Sequence, residues 1–397
     1  MFILPIMDKQ PTIKKKLPNR LFVPLRAFFK DSRNIGIILI LSTILSLLLA
    51  NLSFTTTGYI AFWAKEIHIG ITFLRLPETY LLFVNDVLMT LFFFLVGMEI
   101  KRELTIGELA SIKKSLLPAI AALGGMVCPA LIFAVVNHNT PYQKGWGIPM
   151  ATDIAFSLGV LSLLGNKVPV QLKIFLTALA IIDDLGAVIT IAIFYSSKIS
   201  LLYLCLAAVL TGFVILINKL KVNTLFYYFL PGILLWYCMF NSGIHATVAG
   251  VIMGFCMPLS QLLKLEHKLY KPVNFLIMPL FAFANTAILL PSNMGFIFKS
   301  TISLGIMLGL VIGKPLGIFL FSFIAAKFKI ATLPSNATFK QLLGVGMLSG
   351  IGFTMSIFTA SLSYSVDSLQ IISKVAIIAA SAISGVLGFL YLYKANV

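Results

Sequence analysis

Apolar residues occupy most of the chain in long runs, which short polar segments separate. Twelve of these runs approach the length of about 20 mostly apolar residues that a helix needs to cross a bilayer. The predicted spans are 34–52, 81–103, 115–136, 147–164, 171–195, 200–218, 224–240, 242–257, 272–290, 302–325, 342–363 and 371–393. The two shortest are divided at Asn241, Ser242 and Gly243. The pattern predicts an all-α polytopic membrane protein with about twelve transmembrane helices.

Composition supports the same fold class. Of the 397 residues, 59% are hydrophobic and 11% are charged, whereas soluble domains are about 45–50% apolar and about 25% charged. These proportions exclude a soluble globular domain and a disordered chain. The four cysteines lie in apolar runs without CxxC spacing, so we expect neither a disulfide framework nor a zinc site. No cofactor is expected.

The net charge of +17 would by itself suit a polyanionic partner, but the position of the charges explains it differently. Basic residues mark the cytoplasmic side of membrane proteins. If the N-terminus is inside, 23 of the 30 basic residues fall on the inner side and Lys314 lies within a span. Six fall outside, namely Lys65, Arg75, Lys144, Lys198, Lys299 and Lys374. Both termini are therefore predicted to be cytoplasmic, and no nucleic-acid partner is expected.

Two segments outside the spans have a pattern of their own. Residues 1–33 form a basic tail, and a full apolar span follows it rather than a short apolar region with a cleavage site, so we expect an uncleaved cytoplasmic tail. The loop 53–80 contains the segments 54–59 and 69–73, which predict a small β-hairpin.

Asp183 and Asp184 lie in the middle of the span 171–195. An ionisable group at that depth costs about 2.5–3.5 kcal/mol on insertion scales, so it needs a partner or a water-filled cavity. Adjacent residues of a helix point about 100° apart, which still lets both carboxylates border one cavity. Ionised carboxylates repel each other, and their oxygens suit hard cations. The pair therefore suits exchange of a metal cation for protons. A buried, hydrogen-bonded structural pair is the alternative.

Asp153 lies in a second apolar span, 147–164, beside Thr152 and close to Pro149. Proline and threonine weaken regular helix at this point. Either Thr152 or Asp153 could cap a helix that runs to about residue 164. The capping role and a role in transport are compatible if the cap lies at membrane depth.

Lys314 lies within the span 302–325, too far from either end for easy snorkelling. Pro315 cannot donate a hydrogen bond to the Val311 carbonyl, so the helix is disturbed beside the charge. We expect Lys314 to pair with an intramembrane carboxylate.

The span 342–363 is interrupted by glycines, at Gly344, Gly346, Gly350 and Gly352. Close packing of helices through small residues is one explanation. However, this span and 147–164 each stand in the middle of a group of three spans, and the groups 115–195 and 302–393 run in opposite directions. Interrupted spans in matching positions indicate an inverted-repeat transporter whose site lies at the breaks.

Breaks of this kind bring helix ends into the membrane. An N-terminal end carries roughly +0.5 charge and a C-terminal end roughly −0.5. Asp153 is suited to offset the former, and Lys314 the latter.

Six segments give the chain a specific resemblance. They read VGMEIKRE from Val96, ATDIAF from Ala151, ALAIIDDLG from Ala178, SGIHAT from Ser242, GKPLG from Gly313 and SGIGFTMS from Ser349. From about residue 31 to the C-terminus, the chain resembles the NhaA family of sodium/proton antiporters, itself a known example of inverted repeats.

The resemblance implies an electrogenic, pH-regulated antiporter of the bacterial inner membrane, not an enzyme, that exports Na⁺ or Li⁺ in exchange for protons. It implies that Asp183 and Asp184 carry the cation and the protons. It places Thr152 and Asp153 at the crossing of two broken helices and pairs Lys314 with Asp183. The transporter would comprise residues 34–397, with a core bundle from 115–195 and 302–393.

The resemblance also implies a regulatory set and a dimer. Positions tied to pH activation at a cytoplasmic funnel match Glu99, Arg102, Glu103, His245, Lys264 and Glu266, and Asp86 matches a further acidic position. Plain solvated charge at helix ends is the alternative for the glutamates. The loop 53–80 resembles the periplasmic element that joins two protomers into a homodimer. Lys264 stands where the best-known member has arginine and cannot make a bidentate contact, which leaves the pH threshold open.

Two other functions use some of the same residues. An intramembrane aspartyl protease could pair Asp153 with Asp183 or Asp184 for acid catalysis. The acidic segments, however, lack Gly-x-Gly-Asp and Tyr-Asp motifs, and Lys314 would have no role. A channel is disfavoured because competition of ions for one site needs no continuous pore. Antiport is the function that the sequence predicts.

Overall fold

The computed structural model describes residues 33–67, 75–196, 198–291, 293–335 and 337–395. In these ranges the chain forms helices joined by short connections. In chain order they are α1 Arg33–Asn51, α2 Thr56–Ala64, α3 Tyr80–Thr105, α4 Ile112–Val136, α5 Ile154–Leu163, α6 Val170–Phe194, α7 Leu201–Lys219, α8 Phe226–Ser242, α9 Thr247–Cys256, α10 Leu259–Pro272, α11 Met278–Asn285, α12 Met294–Lys299, α13 Thr301–Lys327, α14 Phe339–Ser349, α15 Phe353–Ser363 and α16 Asp367–Ala395. A 3₁₀ segment, Gln143–Met150, precedes α5.

The structure confirms an all-helical membrane protein. Every predicted span contains helix. Among the described residues, eight helices are long and apolar enough to cross a bilayer, and the bent pair α14 and α15 would make a ninth span. The remaining three predicted spans, 224–240, 242–257 and 272–290, contain shorter helices, of which α8 has 17 residues and α9 has 10.

The predicted β-hairpin is wrong for its first strand, because the segment 54–59 enters helix α2. Tyr59 and Trp63 lie one helical turn apart and both pack edge-on against Phe283, with ring centroids 5.3 and 6.1 Å away. This aromatic packing outweighs the strand preference of the threonines. An isolated antiparallel bridge does join Glu66 to Thr79. The second predicted strand, 69–73, and residues 1–32 of the tail lie outside the described residues.

Three π-helical turns interrupt otherwise regular helix. They are Phe83–Leu88 within α3, Val273–Ile277 between α10 and α11, and Gly309–Gly313 within α13. A π turn fits one more residue into a helical turn and is frequent at functional sites. Each of these turns contains or adjoins a polar residue that the sequence places at membrane depth.

Helices α3 and α9 pack backbone against backbone. A methyl group added at Gly254 would lie 2.7 Å from the carbonyl carbon of Gly97, and one added at Gly97 would lie 2.7 Å from the Val251 carbonyl oxygen. Glycine is therefore the residue that permits this contact, as small residues do between membrane helices. The contact fixes α3, which carries Glu99 and Arg102, against the rest of the bundle.

Replacement of Gly254 by alanine is expected to destabilise the protein, because overpacking at a close contact costs about 1–3 kcal/mol. The measurement is the melting temperature of the purified protein in detergent. Gly212→Ala on α7 is the matched control, since within the described part of the chain an added methyl group there meets nothing within 4 Å. An equal melting temperature for the Gly254→Ala variant and the unmodified protein would contradict the packing argument.

Candidate functional site

Two breaks in helical structure contact each other. The first is the extended stretch 151–153 between the 3₁₀ segment and α5. The second separates α14 from α15, whose axes differ by 47°. The backbone N–H of Asp153 donates to the Ile351 carbonyl at 2.7 Å. Each break thus supplies a partner for backbone groups that helix ends leave unpaired.

The Asp153 carboxylate joins the N-terminal ends of two helices. Its Oδ1 accepts from the Phe156 N–H at 3.0 Å and caps α5. Its Oδ2 accepts from the Thr354 N–H at 3.1 Å and from the Thr354 hydroxyl at 2.5 Å, in the first turn of α15. A negative charge therefore lies between two partial positive charges. The geometry accommodates capping and charge compensation together.

Lys314 joins a carboxylate to a helix C-terminal end. Its Nζ lies 3.0 Å from Asp183 Oδ2 and also donates to the carbonyl of Met150, the last residue of the 3₁₀ segment. Both charged side chains are 0% exposed. The structure thus brings the lysine to a buried carboxylate and to a partial negative charge at once.

Thr152 connects the same carboxylate to the second break. Its Oγ1 lies 2.7 Å from Asp183 Oδ2 and 3.1 Å from the carbonyl oxygen of Ser349, the last residue of α14. A hydroxyl carries one proton, so at any moment it donates to one of the two acceptors. Asp183 and the C-terminal end of α14 therefore compete for the same proton donor.

Asp184 has a different environment from its neighbour. It is 1% exposed and lines a cavity of about 80 Å³ together with Glu99, Asp153 and Thr354. Among the residues that the structure describes, none makes a hydrogen bond to the Oδ1 atom of Asp184, and the same holds for Asp183 Oδ1, so the cavity and the lysine are what distinguish the two. A cavity of this size has room for several water molecules. One carboxylate of the pair is therefore held by a lysine, and the other borders a cavity.

A charged cluster joins α3 to α10. The Nε of Arg102 lies 3.0 Å from Glu266 Oε1, and its Nη1 lies 2.6 Å from Glu103 Oε1. Burial raises the pKa of the Glu266 carboxyl, and the Arg102 guanidinium opposes that rise. Lys264 lies exposed on α10, two residues before Glu266.

His245 lies apart from that cluster. Its Nε2 is 3.4 Å from Asp86 Oδ1, and its ring lies edge-on to Phe358 of α15 with centroids 5.1 Å apart. Asp86 and Glu99 are thirteen residues apart on α3, which corresponds to about 20 Å at 1.5 Å per residue. The residues expected to respond to pH therefore occupy two separate places.

Sequence reasoning missed two tyrosines that hold the 3₁₀ segment. The Tyr195 hydroxyl accepts from the Gly147 N–H at 3.0 Å and donates to the Lys144 carbonyl at 2.8 Å. The Tyr364 hydroxyl donates to the Tyr142 carbonyl at 2.8 Å. Tyrosines at the ends of apolar helices are common at membrane interfaces, so their positions in the sequence carry no specific signal.

Tyr270 and Asn274 also line the cavity of Asp184 and were not predicted. A signal for Asn274 was available, because it is a polar residue within the apolar run 272–290. Tyr270 precedes that run, and its position in the sequence gave no such signal.

Known proteins match nearly the whole chain. The profile of the family described as Na⁺/H⁺ antiporter 1 matches residues 26–392. The Na(+)/H(+) antiporter NhaA 1 of Flavobacterium johnsoniae is 48% identical over 373 residues, which cover 92% of this chain and 96% of that protein. The NhaA protein of Cytophaga hutchinsonii is 49% identical over 371 residues, covering 92% and 94% respectively. The NhaA protein of Citrobacter koseri is 47% identical over 377 residues, covering 93% and 97%.

These matches confirm the resemblance that six short segments predicted. They extend over regions far outside those segments, including the apolar helices on either side. The chain belongs to the NhaA family of Na⁺/H⁺ antiporters and is a multi-pass membrane transporter that exchanges sodium ions for protons, not an enzyme.

Proposed function

We propose that Asp183 and Asp184 are the carboxylates at which Na⁺ or Li⁺ competes with protons. The observation that carries this proposal is the difference between the two neighbours. Asp183 Oδ2 lies 3.0 Å from Lys314 Nζ, whereas Asp184 lines a cavity. In each carboxylate one oxygen, Oδ1, accepts no hydrogen bond from the described residues. The cation is cargo, and carboxylate oxygens suit a hard ion.

Competition at this pair gives antiport without a continuous pore. A cation that enters the cavity displaces protons from the carboxylates, and protons that return displace the cation to the other side. If two protons leave for one Na⁺, each cycle moves one net charge, so the membrane potential can drive export. The second proton has two candidate carriers in this geometry, Asp183 and Lys314.

The contact between the two breaks supports alternating access by an inverted-repeat core, formed by 115–195 and 302–393. Asp153 compensates the ends of α5 and α15, while Lys314 compensates the end of the 3₁₀ segment. Short helices whose ends are compensated can shift without leaving unpaired charge in the membrane. Such a shift would expose the carboxylates to one side and then to the other.

We also infer twelve spans, with both termini on the cytoplasmic face of the bacterial inner membrane. Support comes from helix within every predicted span and from the excess of basic residues on one side. The loop 53–80, whose described part contains α2, is the candidate contact between two protomers of a homodimer. The cluster of Arg102, Glu103 and Glu266 is the candidate for regulation by pH, and Glu99, Lys264 and His245 are further candidates.

Replacement of Asp184 by asparagine is expected to abolish exchange, because an amide can neither release a proton nor neutralise the cation. The measurement is Na⁺-driven dequenching of a pH-sensitive dye in everted vesicles, repeated with Li⁺ and K⁺ across a range of pH. Asp367→Asn, which changes an exposed carboxylate on α16, should retain exchange. Full exchange by Asp184→Asn would end the proposal.

Replacement of Lys314 by alanine is expected to lower the melting temperature in detergent, since removing one partner of a buried ion pair costs about 3–5 kcal/mol. The double variant Lys314→Ala/Asp183→Asn should recover much of this loss, because no unpaired carboxylate remains. Lys327→Ala, at the exposed end of the same helix, serves as the control. An unchanged melting profile for Lys314→Ala would count against the ion pair.

Replacement of Arg102 by alanine is expected to move the pH profile of exchange toward alkaline pH. Burial already raises the pKa of Glu266, and Arg102 opposes that rise. Without the guanidinium the pKa of Glu266 rises further, so any step that needs its ionised form begins at higher pH. The half-activation pH in the vesicle assay tests this, with Lys113→Ala on the exposed start of α4 as the control. An unchanged half-activation pH for Arg102→Ala would contradict a role for Glu266 in regulation by pH.

A further inference from the structure

Three residues from the end of α10 to the start of α11 line the route toward Asp184. Tyr270, Asn274 and Met278 lie four residues apart and all line the same cavity as Asp184. Asn274 lies in the π turn Val273–Ile277. The cavity therefore has polar atoms from this segment on one side and the Glu99 carboxylate from α3 on another.

Exposure falls stepwise along this route. Tyr270 is 38% exposed, Asn274 is 9% exposed and Asp184 is 1% exposed. Lys268 and Lys271 lie exposed on either side of Tyr270 in the chain, and charged ends of this kind belong in water. The tyrosine therefore stands at the aqueous mouth, the asparagine lies deeper, and the carboxylate lies at the inner end.

The hydrogen bond of Asn274 leaves its amide oxygen for contacts in the cavity. Its Nδ2 donates to the Tyr270 carbonyl at 2.9 Å. The carbonyl oxygen of the amide, Oδ1, is not used by that bond. A buried amide costs free energy unless its polar atoms find partners, and a side chain that lines a cavity together with Glu99 and Asp184 can use this oxygen to bind a cation.

We propose that Glu99, Tyr270 and Asn274 form a second cation site, at which a partly hydrated Na⁺ or Li⁺ is held before it reaches Asp184. The proposal rests on the role of Asp184 proposed above. A carboxylate, an amide oxygen and a hydroxyl oxygen offer the oxygen ligands that hard cations prefer. The two neutral groups replace part of the hydration shell without adding charge.

A second observation points to a cation in this cavity. Asp184 lines the cavity, and its buried Oδ1 accepts no hydrogen bond within the described ranges, so this carboxylate lacks a partner that a cation would supply. A route of this kind works only if the outer site binds weakly enough to release the ion. A single carboxylate with two neutral donors meets that requirement better than a second pair of carboxylates would.

The test measures initial exchange rates in everted vesicles against Na⁺ concentration at fixed pH. Asn274→Ala should raise the apparent KM for Na⁺ about three- to tenfold, as expected for the loss of one ligand, with the maximal rate unchanged. Asn274→Asp should keep the apparent KM near or below that of the unmodified protein. Both variants lose the bond to Tyr270, but only the alanine variant loses the oxygen.

Two further variants complete the design. Asn241→Ala removes a bond of the same kind, from Nδ2 to the Tyr237 carbonyl at 3.0 Å, outside the cavity and should leave the KM unchanged. Tyr270→Phe removes only a hydroxyl and should raise the apparent KM for Na⁺ above that of the unmodified protein. This variant tests the site even if Asn274→Ala does not fold.

The outcomes separate this proposal from the one it rests on. An unchanged KM for Asn274→Ala, or an equal rise for Asn274→Ala and Asn274→Asp, would overturn the second site. If Asp184→Asn is inactive in the same assay, the role of Asp184 survives that result. Full exchange by Asp184→Asn would instead overturn both.

Discussion

Compensation of charge at broken helix ends is the constraint on which the site depends. Hydrocarbon cannot solvate an unpaired backbone group, so a break inside a membrane protein must be satisfied by the protein itself. Here the breaks satisfy each other through the bond from Asp153 to Ile351. The Asp153 carboxylate serves the N-terminal ends of α5 and α15, and Lys314 serves the end of the 3₁₀ segment. The residues that are costly in the membrane are the ones that make the breaks possible.

The different surroundings of Asp183 and Asp184 follow from helix geometry. Because adjacent residues point about 100° apart, one carboxylate can reach the lysine of α13 while the next faces the cavity beside α3. Two acids on the same face, four residues apart, would share one environment. Adjacent residues therefore have different surroundings, and a buried ion pair lies beside a carboxylate that borders a cavity.

The sequence predicted the features that depend on the spacing of nearby residues and on the free-energy cost of burying charged groups in a membrane. The positions of the apolar helices, the interrupted spans and the four charged residues Asp153, Asp183, Asp184 and Lys314 all follow from one chain read alone. The contacts between distant segments do not. The threonine-rich loop predicted a strand, but the packing of Tyr59 and Trp63 on Phe283 made it a helix. His245 was grouped with Glu266 by resemblance, whereas its Nε2 lies 3.4 Å from Asp86 Oδ1, because packing between helices decides which side chains meet.

The π turns limit how far the faces of these helices can be assigned from the sequence. Asp86 lies in the turn of α3, Asn274 in the turn after α10, and Lys314 directly after the turn of α13. One additional residue in a turn rotates all following side chains by about 100° relative to a regular helix. A pattern with a period of 3.6 therefore does not carry a face assignment across such a turn. At Val273–Ile277 the turn itself carries Asn274, which lines the cavity of Asp184, so the local widening of the helix helps to decide which side chain borders the cavity.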